Sequence, residues 1–547
     1  MEDIGLLAYQ WSLDFLSQLH KNGVTDCIIS PGSRSTPLVL AAASIDSLQK
    51  RIVIDERSAA FQALGIAKAT ARPVVLICTS GTAAANYFPA IVEANLSRVP
   101  LIVITADRPS KLRNIGAQQT IDQVKLYGNH AQYVELGEPN SDDLKRIPKI
   151  ANQVFFESLK GFPIHVNAAF RKPLQPESLP NPITIYPDYV HFHFPKVDLT
   201  DLANELTVAN KPLFIFGPSV IPLLNFSSIY DWAIRNSIPC ITEILSQITA
   251  NQSFTTTFLN DPDLKNYFKP DLIVRFGRQT VSSVLDQFLV ENSEINQLHF
   301  DYFDVWHDAT FTTAQHFFGQ IEMDELNEIP TFSDENWFEL WTNSIQENRL
   351  QQEDILNEEQ VFTDAHVFQN LSLWNIFDGL HLSNSYPIRD SETFGNFKDK
   401  KVYCNRGANG IDGVISTALG NSVTHTEFCT IIGDIAFLHD ASSLVNHNQY
   451  NSNHTLVVIN NGGGQIFGML PISKMSDKSL LKTYYTTPQS FQIESISKAF
   501  SIPFYRVETC EEFNLALNKD FSGLRIIECV TNSEIAHNLR KKMAKNN

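Results

Sequence analysis

The chain lacks an apolar run long enough to span a bilayer. It also lacks a basic leader followed by an apolar core, because Met1 is followed by Glu2 and Asp3. Both absences point to the cytoplasm. Paired cysteines are missing too. The seven that occur, Cys27, Cys78, Cys240, Cys404, Cys429, Cys510 and Cys529, are odd in number and never in CxxC spacing. That disfavours a disulfide framework or a zinc site, and buried reduced thiols are expected. Positive charge is in short supply, with a formal net charge of -18. This argues against nucleic acid or an anionic membrane as a partner. Small anionic substrates stay open, because a cleft needs only a few local arginines. No short repeat or low-complexity segment is visible.

What is present is a long chain of globular composition. Its 547 residues, 43% hydrophobic and 19% charged, are too many for one core and imply several domains. In the first third, Val24 to Ser30, Arg51 to Ile54, Pro73 to Cys78 and Pro100 to Thr105 are short, apolar, β-branched runs. Ser58 to Thr70 and Thr82 to Ser97 are Ala-rich and helical in pattern. Strand, turn and helix in alternation predict a parallel sheet covered on both faces. Phe162 to Val166 is a further strand candidate. Pro176, Pro180, Pro182, Pro187 and Pro195 suit an interdomain linker. Strand signals resume at Pro212 to Phe216, Asp271 to Phe276 and Gln297 to Phe300. Residues 320–360 are acidic and read as surface helix plus linker. A third unit has strands at Phe428 to Ile432 and Thr455 to Ile459, and a helix at Ala441 to Asn446. The expected fold class is α/β, with three α/β domains built on parallel sheets over residues 1–185, 186–355 and 356–547.

Two strand ends in the third unit carry the first chemical signal. Cys429-Thr430-Ile431-Ile432 ends in Gly433-Asp434. Leu456-Val457-Val458-Ile459 ends in Asn460-Asn461, followed by Gly462-Gly463-Gly464, and 25 residues separate the two polar pairs. In a doubly wound sheet ligands sit at the carboxyl ends of strands, so both pairs share one rim. Magnesium takes hard oxygen ligands in octahedral geometry and shares them with phosphates. Asp434, the Asn461 amide oxygen and a backbone carbonyl at Gly463, with diphosphate oxygens and water, would complete such a shell. The glycines allow the close backbone approach. Singly, each pair is more simply a turn or a cap; together they favour a metal site. The pattern resembles the GD-to-NN signature of thiamine-diphosphate enzymes, although Ile435 stands where many of them have Gly.

That resemblance gives Glu56 a role. Thiamine chemistry needs a carboxyl group at the aminopyrimidine N1′, which promotes loss of the thiazolium C2 proton. The cofactor carries the hard chemistry while the protein positions and tunes it. Such an acid belongs at a strand end in a largely apolar site. Glu56 follows the strand in Arg51-Ile52-Val53-Ile54-Asp55-Glu56-Arg57-Ser58. Ser58 is read as the cap of the next helix. Without the third unit, Glu56 would be an ordinary acidic residue at a helix start.

Five further segments narrow the resemblance: Ser30-Pro31-Gly32-Ser33-Arg34-Ser35-Thr36-Pro37, Thr79-Ser80-Gly81-Thr82-Ala83, Thr105-Ala106-Asp107-Arg108-Pro109, Gly116-Ala117-Gln118-Gln119-Thr120-Ile121, and Asn405-Arg406-Gly407-Ala408-Asn409-Gly410-Ile411-Asp412-Gly413. Together they closely resemble the 2-succinyl-5-enolpyruvyl-6-hydroxy-3-cyclohexene-1-carboxylate synthase family of menaquinone biosynthesis. The likeness covers most of the first and third units. In the middle unit it amounts to little beyond Arg275-Phe276-Gly277. The resemblance implies the thiamine-diphosphate-binding fold, with thiamine diphosphate and Mg²⁺ or Mn²⁺ as cofactors. It implies decarboxylation of 2-oxoglutarate and 1,4-addition of the succinyl unit to isochorismate. It also implies a homodimer or homotetramer with the active site at the subunit interface. The alternatives are another thiamine-diphosphate-dependent 2-oxo acid decarboxylase or carboligase, and a catalytically silent thiamine-binding protein.

Both implied substrates are dicarboxylates, and arginine suits forked recognition of carboxylates. Arg34, Arg108 and Arg406 are expected to converge on one cleft, with Ser33 adding a hydroxyl. Arg108 could instead pair with Asp107, and the other two could simply brace loops. By resemblance, Gln119 contacts the reacting species, and Ile466, Phe467 and Leu470 form an apolar wall over cofactor and substrate. Asn384-Ser385, ahead of an expected strand, resembles a diphosphate-contacting segment. Gly433 and the backbone at Ile435 and Ala436 are further diphosphate contacts. Two positions depart from the family. Ser283 stands where some members carry Lys, and Ser422-Val423-Thr424-His425 lacks an Arg that some members have; Arg278 and His425 are the candidate replacements.

Overall fold

The computed structural model describes residues 3–178, 181–187, 194–219, 226–248, 257–260, 267–330, 334–397, 399–474 and 477–545. Pro180 of the proline-rich stretch lies outside them. Three sheets form, from buried apolar runs at their centres and more polar strands such as Gln49–Ile52 and Gln315–Phe318 at their edges. The first contains β1 (Asp26–Ile29), β2 (Gln49–Ile52), β3 (Val74–Cys78), β4 (Leu101–Asp107), β5 (Gln132–Gly137) and β6 (Ile164–Ala169), ordered β2-β1-β3-β4-β6-β5. The second contains β7 (Pro212–Phe216), β8 (Cys240–Thr242), β9 (Leu272–Phe276), β10 (Asn296–Asp301) and β11 (Gln315–Phe318), ordered β11-β10-β9-β7-β8. The third contains β12 (Gly379–Leu382), β13 (Lys401–Cys404), β14 (Glu427–Gly433), β15 (Asn453–Asn460), β16 (Phe504–Val507) and β17 (Leu524–Val530), ordered β13-β12-β14-β15-β17-β16.

The first and third sheets wind in the same order. In each, the second strand lies on one side of the first and the third strand on the other. That reversal opens a crevice beyond the carboxyl ends of the strands. The motifs follow those ends: Ser30 to Pro37 after β1, Thr79 to Ala83 after β3, Arg108 after β4, Gly433-Asp434 at the end of β14 and Asn460-Asn461 at the end of β15. Strands β3, β4 and β6 are buried along their whole length, as helices on both faces require. Six of the seven cysteines are buried. Among the described residues, no helix is long and apolar enough to cross a membrane.

By compactness the chain divides into two units. One comprises Met1–Phe192, Asn405–Thr426 and Ala436–Asn453; the other comprises His193–Cys404, Glu427–Ile435 and His454–Asn547.

The structure departs from local expectation in four places. The Thr82 to Ser97 helix is two helices, Thr82–Asn86 and Phe88–Ser97. Pro89 lacks the N–H that would continue the first of them onto the Ala85 carbonyl. The helix Glu56–Thr70 is capped by Asp55, which accepts from Arg57 N at 3.0 Å and Ser58 N at 3.4 Å. Ser58 therefore sits inside the helix. Ala441–Gln449 is a 3₁₀ segment rather than an α-helix. In the acidic stretch, helix Glu335–Glu358 buries Trp337 and Trp341 four residues apart, and Trp337 Nε1 donates to Pro212 O at 2.8 Å. Its polar composition conceals that narrow apolar stripe.

Inside the first unit, helices Glu56–Thr70 and Val414–Asn421 meet backbone to backbone. A Cβ on Gly65 would lie 2.1 Å from Thr417 O, and one on Gly420 would lie 2.2 Å from Gln62 O. Asn421 Nδ2 crosses the seam to Gly65 O at 2.9 Å. Glycine is needed here for close approach. Gly420→Ala should destabilise the protein by about 1–3 kcal/mol through overpacking. Urea unfolding followed by circular dichroism measures it; an unchanged midpoint would contradict the packing described.

Candidate active site

Asp434 opens helix Asp434–Asp440 directly after β14 and is 5% exposed. Its Oδ1 accepts from Ile435 N and its Oδ2 from Gly463 N, both at 2.8 Å. Burial pushes its pKa up, the two N–H donors pull it down, and nearby Asp364 pushes it up again. Asn461 lies one residue past β15 and donates from Nδ2 to Asp364 Oδ2 at 3.1 Å. That leaves Asn461 Oδ1 as the acceptor atom of the amide. Gly463 has φ +110°, and a Cβ there would lie 2.2 Å from Thr486 O, so the position requires glycine. A Cβ on Gly433 would meet nothing within 4 Å, which marks open space beside the strand end.

These residues fit a divalent cation that carries a diphosphate. The donors are hard oxygens from one carboxylate, one amide and one peptide carbonyl. Such a set differs from a cluster of three or more His, Cys, Asp and Glu side chains, and none of those occurs among the described residues. Asn384-Ser385 follows β12 and leads into helix Tyr386–Phe394, not into the expected strand. Ser385 has φ 76° and ψ -128°. Non-glycine residues held in such conformations are concentrated at ligand clamps. Ala436 is buried in the first turn of the Asp434–Asp440 helix. Ile466 and Phe467 are half-buried, whereas Leu470 is 44% exposed. Core packing therefore does not account for Leu470.

The first unit gathers a second set of groups at the ends of β1, β3 and β4. Arg34 Nη1 donates to Phe170 O at 2.6 Å. Arg108 donates from Nη1 to Ser80 Oγ and from Nη2 to Gln118 O at 3.1 Å. Ser80 Oγ donates to Gln119 O, and Gln119 Nε2 donates back to Ser80 O, each at 3.0 Å. Burial lowers the Arg34 pKa and the neighbouring Arg108 charge lowers it further, while the Asp107 charge partly offsets both. The two guanidinium groups are thus close enough to repel, an arrangement that favours an anion. Arg108 does not form the ion pair with Asp107 that is the alternative reading of its position. Asp107 instead pairs with Arg113 at 2.9 Å and accepts only the backbone N–H of Arg108, at 2.7 Å. Ser33 and Gln119 are exposed, and Gln119 has φ 53°.

Glu56 is the first residue of its helix and half-buried. Together with burial, its charge raises the pKa of Cys78, which places the carboxylate near the end of β3. Arg406 stands on the loop after β13. That loop is clamped by Glu93, whose carboxylate accepts from Gly407 N at 2.9 Å and Ala408 N at 2.7 Å. Lys68 Nζ reaches Asn405 Oδ1 at 2.7 Å. Different partners hold the Arg34 and Arg108 groups. In the middle sheet, Ser283 opens helix Ser283–Glu291, and Glu243 accepts from Val281 N and Ser282 N just before it.

Sequence reasoning missed Asp364, Asp390 and Arg540, which stand behind Asn461. Arg540 Nη2 donates to Asp364 Oδ2 at 2.8 Å and Nε donates to Asp390 Oδ1 at 2.9 Å. Asp364 reads locally as the acidic first residue of a helix after Thr363. Only the fold brings it to Asn461.

The two halves correspond to two families. Residues 13–126 match the thiamine pyrophosphate enzyme N-terminal TPP binding domain, and residues 392–529 match the C-terminal TPP binding domain. The protein is a thiamine-diphosphate-dependent enzyme. Its relatives include 2-succinyl-5-enolpyruvyl-6-hydroxy-3-cyclohexene-1-carboxylate synthases of Listeria innocua, Oceanobacillus iheyensis and Staphylococcus aureus. Each is 35% identical over 95% of this chain and 94% of the relative. The chain belongs to the 2-succinyl-5-enolpyruvyl-6-hydroxy-3-cyclohexene-1-carboxylate synthase family.

The turn bearing Glu56 rests on Asp440, which yields a pH prediction. Arg57 Nη2 donates to His439 O at 3.0 Å and lies 3.8 Å from Asp440 Oδ1. Asp440 accepts from Ser416 N at 2.7 Å, and burial pushes its pKa up to about 6. The folded pKa is above the unfolded one, so the folded state binds this proton more tightly. That stabilisation is complete below the ordinary carboxylate range and is lost as pH rises through about 6. Asp440→Asn should remove this component, so the stability difference between variant and parent should change between about pH 4 and 7. Denaturant midpoints across that range test it; a constant difference would contradict it.

Proposed function

We propose that the chain catalyses thiamine-diphosphate-dependent decarboxylation of 2-oxoglutarate and 1,4-addition of the succinyl unit to isochorismate. The products are 2-succinyl-5-enolpyruvyl-6-hydroxy-3-cyclohexene-1-carboxylate and CO₂, in menaquinone biosynthesis. The observation that carries this reading is the placing of Arg34 and Arg108 at neighbouring strand ends, braced by Phe170 O, Ser80 Oγ and Gln118 O rather than by acidic side chains. A dicarboxylate would use both forks.

When bound, thiamine diphosphate supplies a nucleophilic carbon and then an electron sink for loss of CO₂. Asp434, Asn461 Oδ1 and the Gly463 carbonyl hold Mg²⁺ or Mn²⁺. Asn384, Ser385, Gly433 and the backbone at Ile435 and Ala436 hold the diphosphate. Glu56 holds a proton at the aminopyrimidine nitrogen. Arg34, Arg108 and Ser33 bind substrate carboxylates, while Gln119 and Arg406 contact the reacting centre. Ile466, Phe467 and Leu470 exclude water from the face of the site. The domain partition that goes with this reading is 1–185 for the aminopyrimidine, 186–355 as a central domain and 356–547 for the diphosphate and metal. The working form is a cytoplasmic homodimer or homotetramer. In it the metal half-site of one subunit faces Glu56 of the partner subunit.

Incubation with 2-oxoglutarate, isochorismate, cofactor and Mg²⁺ should release CO₂ and yield the adduct. CO₂ without adduct would favour a different 2-oxo acid decarboxylase or carboligase, and neither product would overturn the assignment. Glu56→Gln should largely abolish turnover while keeping cofactor affinity within a few-fold, measured by calorimetry. Arg34→Ala and Arg108→Ala should each raise KM for a dicarboxylate about 10- to 100-fold, the loss expected for one charged hydrogen-bonded contact. Unchanged KM in both would remove the arginines from substrate recognition.

A further inference from the structure

The C-terminal helix Ser533–Lys545 contributes a cation to the rear of the proposed metal site. Arg540 lies nine-tenths buried between two buried carboxylates, Asp364 and Asp390. It touches both, and its Cζ lies 3.6 Å over the Tyr386 ring. Burial opposes its charge, but Asp390 and Asp364 more than offset that and raise its pKa.

From Arg540 the contacts run to Asn461 by two routes. On one side Asp364 Oδ2 accepts both Arg540 Nη2 and Asn461 Nδ2. Thr531 Oγ1 holds the other Asp364 oxygen. On the other side Tyr386, under the guanidinium, donates from its hydroxyl to Gln465 O at 3.2 Å. Gln465 Nε2 then donates to Asn461 O at 3.0 Å, and Gln465 N donates to Gly463 O at 2.8 Å. Asn461 is therefore fixed twice, through its amide and through its peptide carbonyl. Tyr386 and Asp390 both lie on the helix that begins after Ser385.

We infer that Arg540 and Asp364 are positioning residues for the metal half-site, acting through Asn461. The inference rests on the reading of Asp434, Asn461 and Gly463 as metal ligands. Two features distinguish it from ordinary anchoring of a terminal helix. First, Asp364 accepts from the Asn461 amide nitrogen, which turns the oxygen of that amide to the ligand role. Second, the Tyr386 hydroxyl and Gln465 fix the Asn461 peptide carbonyl on the other side, so the residue is held at both ends.

The test is a calorimetric titration of Mg²⁺ into protein with saturating thiamine diphosphate. Parent, Arg540→Met, Arg540→Lys, Asp364→Asn and Asp434→Asn are compared, with cofactor-free thermal unfolding of each. Arg540→Met and Asp364→Asn should weaken Mg²⁺ binding about 10- to 100-fold, the usual cost of removing a group behind a metal ligand. Arg540→Lys should restore part of the affinity, because it keeps the charge and loses the fork. Excess Mg²⁺ should recover turnover in Arg540→Met. Parent-like Mg²⁺ affinity in both Arg540→Met and Asp364→Asn, whatever their thermal midpoints, overturns the positioning role. If Arg540→Met does not fold, Asp364→Asn decides alone. Asp434→Asn separates the two readings: parent-like affinity there overturns the metal site itself, whereas loss there with no loss at Arg540 and Asp364 overturns only this inference.

Discussion

A carboxylate withdrawn from water at the end of a parallel strand is the constraint on which the cofactor half of this enzyme is built. Asp434 has one N–H on each oxygen and little solvent. Two neutral donors reduce the cost of burying its charge, while Asp364 adds to it. The surrounding residues follow from that imbalance. Gly463 lacks a side chain so that its N–H can reach Asp434 beneath the Thr486 carbonyl. Asn461 is oriented by Asp364, and Asp364 is held in turn by Arg540. Much of the polar structure behind β14 and β15 thus supports a small set of oxygens that a hard cation would complete.

The first unit solves a complementary problem with the opposite sign. Arg34 and Arg108 stand at the strand ends within electrostatic reach of each other, and neither has an acidic side chain as its described hydrogen-bond partner. Asp107, the nearest acid in sequence, is taken by Arg113. The guanidiniums are braced by carbonyls and a hydroxyl, which fix their direction and leave their charge to act on an anion. Gln119 is locked onto the same brace through Ser80. One unit therefore carries an excess of buried negative charge and the other a pair of adjacent positive charges. These are the electrostatics that the proposed metal-bound diphosphate and dicarboxylate substrates would require.

Much of this is legible in the sequence because parallel α/β sheets place strand ends and functional loops on one rim. The apolar runs mark β3, β7 and β14 closely, and the polar pairs that end β14 and β15 stand out as candidate ligands from their spacing and flanking strands. The shared winding order of the first and third sheets is not readable, because it depends on which strands pair. Local chemistry also misleads at the margins. Asp55 out-competes Ser58 as a cap because it precedes the first helical residue, where its oxygen meets two free N–H groups. Asp364 and Arg540 carry no signal at all. They are separated from Asn461 by 97 and 79 positions, and each looks like an ordinary helix residue until the fold joins them.

The metal half-site is tested most directly by a crystal structure with thiamine diphosphate and Mn²⁺, whose anomalous scattering locates the ion. One anomalous peak is expected at about 2–2.3 Å from an Asp434 carboxylate oxygen, Asn461 Oδ1 and the Gly463 carbonyl. A Glu56 carboxyl group is expected within hydrogen-bond reach of the aminopyrimidine N1′. A metal bound away from Asp434 and Asn461 would contradict the metal half-site, and an N1′ with no contact to Glu56 would contradict the role of Glu56.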